Sequence, residues 1–157
     1  MTKIKIPAEY IKQAKKESKE LGILKNSFTK GAGNVVGILG EKIVKDYFNL
    51  DNEHDFDHDL TGNGKKIEVK TKKCTSKPKN HYRCSVSKWS KHQTCDYYIF
   101  VRVLEDYSKG WILGYISQKE FYKQATFYRK GEGDKTSPFG WTFKEDCYNL
   151  PISKLNL

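Results

Sequence analysis

The chain has 157 residues, enough for one domain with a real hydrophobic core. Charged residues make up 31% of it and apolar ones 37%, a balance that fits a globular protein, and no stretch approaches the roughly 20 apolar residues of a membrane span. Lys plus Arg outnumber Asp plus Glu by 29 to 19, giving a net charge of +10, which favours a polyanion as partner.

Met1 to Pro7 lacks the apolar run of a secretory signal, so the expected compartment is the cytoplasm of a bacterium or of a phage-infected host. Pro7 to Leu21 reads as a basic helix with a thin apolar stripe of Tyr10, Ile11, Ala14 and Leu21, ended by Gly22. It is too poor in large apolar residues for a membrane surface. Lys25 to Gly33 is polar: Ser27, Thr29 and Lys30 are either phosphate contacts or part of a plain linker. Asn34 to Phe48 is a second helix, with Val36, Leu39, Ile43 and Tyr47 at helical spacing. Gly37 and Gly40 interrupt it, each at a cost of about 1 kcal/mol against Ala. Two in one turn predict a close approach by another backbone, and Glu41 follows directly.

Asn49 to Asp55 reads as an acidic loop. The stretch Phe56 to Lys73 then reads as a hairpin, because Asn63-Gly64 suits a type I′ turn, which needs positive φ at both central residues. With those two at the tip, Gly62 faces Lys65, Thr61 faces Lys66, Leu60 faces Ile67 and Asp59 faces Glu68. Phe56, Leu60, Ile67 and Val69 alternate toward a core. Asp57, Asp59, Glu68 and Lys70 share the other face, and Asp57 faces Lys70. Two carboxylates directly across a hairpin repel. A divalent cation between them suits such hard oxygen ligands. His58 falls on the core side.

Lys72 to Asn80 reads as a basic loop carrying Lys72, Lys73 and Lys77 beside the substrate. Tyr82 to Val86 is a strand, and Ser87 reads as the cap of a short helix bearing Lys88, Lys91, His92 and Gln93. Cys95 to Leu104 contains a dense aromatic and β-branched run expected at the centre of a sheet. Trp111 to Ile116 is a further strand, and Ser117 caps a short helix. From Phe127 the chain is irregular. Its aromatics either stack on bases or cap the core. Cys74, Cys84, Cys95 and Cys147 form no Cys-x-x-Cys pair and read as reduced thiols.

Asp59, eight residues, then Glu68-Val69-Lys70 resembles the motif of the PD-(D/E)XK nuclease superfamily, over roughly Gly33 to Leu104. His58 stands where the pattern has Pro, and the short gap requires the tight turn that Asn63-Gly64 supplies. The resemblance implies a restriction-endonuclease-like α/β fold, a three-layer α/β/α sandwich with a mixed central sheet. Residues 1–157 would be one nuclease domain: 1–32 an N-terminal helix and loop, 33–104 the catalytic core, 105–157 a C-terminal extension. It implies a metal held by Asp59, Glu68, the main-chain carbonyl of Val69 and Glu41, with Lys70 orienting the attacking water. Mg²⁺ is the expected ion and Mn²⁺ a substitute. Lys30, Lys72, Lys73, Lys77, Lys88, Lys91 and Gln93 would contact the nucleic acid. The implied reaction is endonucleolytic hydrolysis of DNA to 5′-phosphate and 3′-hydroxyl ends by a homodimer. An RNA-cutting or end-trimming nuclease of the same fold, and a non-catalytic nucleic-acid-binding module, stay open as alternatives.

Overall fold

In the computed structural model, which describes residues 1–21, 34–52, 58–133 and 141–157, the chain forms an α/β fold around a mixed sheet. In chain order the elements are β1 (Thr2–Lys5), α1 (Ala8–Leu21), α2 (Asn34–Phe48), β2 (Asp51–Asn52), β3 (Leu60–Gly62), β4 (Lys65–Cys74), β5 (Arg83–Ser87), β6 (Tyr97–Leu104), β7 (Lys109–Ser117), α3 (Gln118–Gln124), β8 (Thr126–Tyr128) and β9 (Cys147–Pro151). Short 3-10 helices cover Lys88–His92 and Ile152–Lys154. Six strands join in the order β1-β7-β6-β4-β3-β2. β4 and β6 run parallel and the other neighbours antiparallel. A second, antiparallel sheet has the order β5-β9-β8.

The large sheet is covered on both faces, so its central strands are apolar on both sides. Ile67, Val69, Ile99, Val101, Val103 and Ile112 pack with Leu39, Ile43 and Val44 of α2. Tyr98, Phe100, Trp111, Leu113 and Ile116 point the other way, toward Phe121 of α3 and toward Cys84, Val86 and Leu150 of the small sheet. α1 lies against α2, tied by Lys42–Glu17 at 2.9 Å. The Ser117 cap is formed as expected: its side chain accepts from the Glu120 N–H at 3.2 Å.

Several expectations need correction. Thr2–Lys5 is an edge strand, blunted by lysines as edges commonly are. Asp51 and Asn52 leave the expected loop to pair with β3. β4 continues through Cys74, so Lys72 and Lys73 are strand residues held in ladder with Arg102 and Val103 rather than members of a loop. Residues 105–157 are no appendage: β7 lies inside the large sheet between β1 and β6, and β8 and β9 build the small one. Ser87 makes no side-chain cap, because its hydroxyl bonds to Glu145 at 3.2 Å.

Of the two helix glycines, Gly40 alone is demanded by a close approach. A Cβ there would collide with the side chain of Thr71 on β4, whereas one at Gly37 would only brush the Glu41 carboxylate, 3.9 Å away. Gly40→Ala should therefore destabilise the protein by about 1–3 kcal/mol, measured by urea denaturation. Thr71→Ala should restore part of the loss; no recovery in the double variant would place the conflict elsewhere.

Candidate active site

The hairpin tip forms as its sequence dictates. Asn63 has φ 51° and Gly64 φ 69°, and Leu60↔Ile67, Thr61↔Lys66 and Gly62↔Lys65 are paired. The ladder ends there, and the expected Asp59–Glu68 cross-strand pair is replaced by a different arrangement. The Asp59 N–H donates to the Ile67 carbonyl at 3.0 Å, although Ile67 already faces Leu60. Two residues of one arm thus meet one of the other, as in a β-bulge, which re-aims the side chain. The Asp59 carboxylate accepts the Val69 N–H at 2.7 Å, filling the backbone position where a longer β3 would have paired.

Glu68 projects from the opposite face of β4 to Ile67 and Val69 and is 6% exposed. Its Oε1 accepts from Lys70 Nζ at 2.6 Å and from Gln93 Nε2 at 3.3 Å. Lys70 Nζ also reaches Ser90 Oγ and Gln93 Oε1, each at 3.3 Å. Gln93, expected as a phosphate contact, instead holds the Glu68–Lys70 pair in place. It ends the 3-10 helix Lys88–His92, whose position is fixed by Tyr98 Oη on the Ser90 carbonyl at 3.5 Å and by Gln118 on the Gln93 carbonyl.

Glu41 arrives from α2, half-buried, beside the Gly40–Thr71 contact. Burial pushes the Asp59 carboxyl up to about 8, with Glu68 and then Glu41 adding repulsion that the Val69 N–H and Lys70 only partly offset. Glu68 and Glu41 are thus near enough to raise the cost of a charge on Asp59. Among the described residues, however, no three His, Cys, Asp or Glu side chains are grouped tightly enough to grip one ion. The donor chemistry still fits a hard divalent cation: three carboxylates, one ammonium bonded to Glu68, and an aspartate short of positive charge.

The remaining expected contacts are dispersed. Lys72 lies open to solvent near the Trp141 ring, 5.8 Å from its centroid; Lys73 lies over Tyr107 at 5.9 Å. Lys77 is exposed, Lys88 pairs with Asp146 at 3.4 Å, and Lys91 lies over Tyr148 at 5.7 Å. Lys30 and Asp57 lie outside the described residues. Sequence reading missed Glu145, whose carboxyl is raised chiefly by burial and lowered in part by Lys70. It also missed Arg102, a lone guanidinium in an apolar strand and 8% exposed. That isolated charge in Ile99–Val103 was the available signal.

The chain matches no protein-family model, and no curated protein matches it.

Asp59 supplies a pH test. In the metal-free protein the folded state holds its proton up to about pH 8 and the unfolded chain only to about pH 4. Stability from this group is full below that window and falls as pH rises through it. Asp59→Asn keeps an acceptor for the Val69 N–H but removes the slope. In EDTA, its Tm relative to wild type should climb by about 5 °C or more between pH 5 and pH 9; a constant difference would show that Asp59 does not titrate in that window.

Proposed function

We propose that this protein is a metal-dependent DNA endonuclease with a restriction-endonuclease-like, three-layer α/β/α fold. The observation that carries the reading is the convergence of Asp59, Glu68 and Glu41, from three separate elements, around a strand that also bears Lys70, in a chain of net charge +10. α2 and α3 on opposite faces of a mixed sheet support the fold. A module that merely bound nucleic acid would gain nothing from three carboxylates, each of which repels phosphate.

In this reading Asp59, Glu68, the Val69 carbonyl and Glu41 would hold Mg²⁺, with Mn²⁺ able to substitute, once the carboxylates draw closer than they stand without the ion. The chemistry such an ion supplies when bound is a water of lowered pKa and neutralised phosphate charge. The chain's own part falls to Lys70. Glu68 accepts from its ammonium, while Ser90 and Gln93 fix where its protons point. From there it orients the attacking water and offsets the charge that grows on the phosphate. Hydrolysis leaves 5′-phosphate and 3′-hydroxyl ends, and two sites in a homodimer would serve two strands.

Supercoiled plasmid tests this. Wild type with Mg²⁺ should nick it and EDTA should stop the reaction. Glu68→Gln and Lys70→Ala, shown folded by circular dichroism, should each fall by about 100-fold or more. Undiminished nicking by Glu68→Gln would refute the assignment.

A further inference from the structure

Beyond Lys70 the same face of β4 continues into a cleft between the two sheets. It has two chambers, of about 440 and 630 Å³, which share Lys72, Ser85, Arg102, Trp141 and Phe143. Lys70 and Glu145 stand at one end, His81 and Tyr82 at the other. At the shared centre, Lys72 and Arg102 are direct neighbours in the β4–β6 ladder. Two like charges side by side are unfavourable, and Glu145, which lines one chamber and feels Lys72, is paired with neither. Arg102 is more than nine-tenths buried, and its Nη2 donates to the Arg83 carbonyl at 2.7 Å. Neither it nor Lys72 has a carboxylate within ion-pair distance among the described residues. The thiols near Arg102 are no counter-ions: burial pushes Cys84 up to about 12 and raises Cys74 as well. The larger chamber is lined by Lys72, Lys73, Arg83 and Arg102 and, among the described residues, by no acidic one.

A buried guanidinium without an anion is costly unless an anion arrives. Arg offers a planar fork that matches phosphate, and Lys a mobile point charge beside it. Trp141, 41% exposed and braced edge-on by Phe143, borders both chambers. It offers a π-face for a base. Side chains two apart on a strand stand about 7 Å apart, so Lys72 lies one such step from Lys70, comparable to one step along a nucleotide backbone. Chambers of this size admit a nucleotide but no duplex.

We propose that Arg102 and Lys72 form a phosphate-binding subsite one step from the carboxylates, taking an unpaired nucleotide of a DNA strand whose base stacks on Trp141. The inference rests on the nuclease reading for its reaction but not for its binding. The substrate class is accordingly DNA with a free end or an unpaired segment, such as negative supercoiling opens in a plasmid, rather than a relaxed intact duplex.

The test is fluorescence anisotropy in EDTA with a labelled, 5′-phosphorylated four-nucleotide thymidine strand and with a blunt, fully paired duplex, at matched salt. Wild type should bind the strand at least about tenfold more tightly than the duplex. Lys72→Ala and Trp141→Ala, both at solvent-accessible positions, should each weaken strand binding about tenfold, and inorganic phosphate should compete. Arg102→Gln should abolish strand binding if folded, and Arg102→Lys should restore part of it. Equal affinity for strand and duplex, or strand binding indifferent to Lys72→Ala, overturns the subsite. The two readings fail separately. Nicking that survives Glu68→Gln while Lys72→Ala loses the strand removes the nuclease and leaves the subsite; the converse pattern removes only the subsite.

Discussion

The arrangement depends on a carboxylate placed inside a sheet. Glu68 sits on β4 with almost no exposure, and a buried charge left without partners costs roughly 3–5 kcal/mol. Lys70, two residues along the same face, meets it at 2.6 Å, and Gln93 bonds to both. The pair is therefore less a source of stability than a demand on the surroundings. The 3-10 helix must place Ser90 and Gln93 above β4, and Tyr98 and Gln118 must hold that helix there. A chain of packed elements from β6 to α3 thus serves the geometry of one ammonium group.

The other side of β4 answers a different requirement. Gly40 lets α2 press against Thr71, and that contact sets the height from which Glu41 approaches. The bulge at Asp59 ends the hairpin ladder and turns its carboxylate onto the Val69 amide. One strand thereby collects acids from the helix, from the hairpin arm and from itself. The burial of Asp59, with the repulsion that Glu68 and Glu41 add to it, is the electrostatic imbalance that a cation would relieve.

Charge of the other sign collects two residues further along β4. Lys72 and Arg102 sit side by side with no acid at ion-pair distance among the described residues, while Glu145 and Lys70 mark the boundary with the acidic cluster. Under the proposed nuclease reading, a cleft negative at one end and positive at the other would separate the two parts of one task, holding a strand and acting on it. The small sheet makes this possible, since it roofs the cleft and supplies the Arg83 carbonyl that steadies Arg102.

Local patterns determined a good deal by themselves. The helix over 34–48, the Asn63-Gly64 turn, the apolar strand through Tyr97–Val103 and the Ser117 cap follow from periodicity and turn chemistry, which act over a few residues. Lys70 beside Glu68 was equally legible from their spacing on one strand face, but the direct Asp59–Glu68 pair was not, because the ladder ends before it. What only the tertiary structure decided are the relations between distant segments. Gln93 reaching Glu68, Arg102 beside Lys72, Glu145 on Ser87 and Trp141 over the cleft join positions 20 to 70 residues apart, and no local propensity encodes such distances. The slip at Asp59 belongs with them: the hairpin alone would have continued its ladder, and the competing bond from Val69 is made where the sheet runs out.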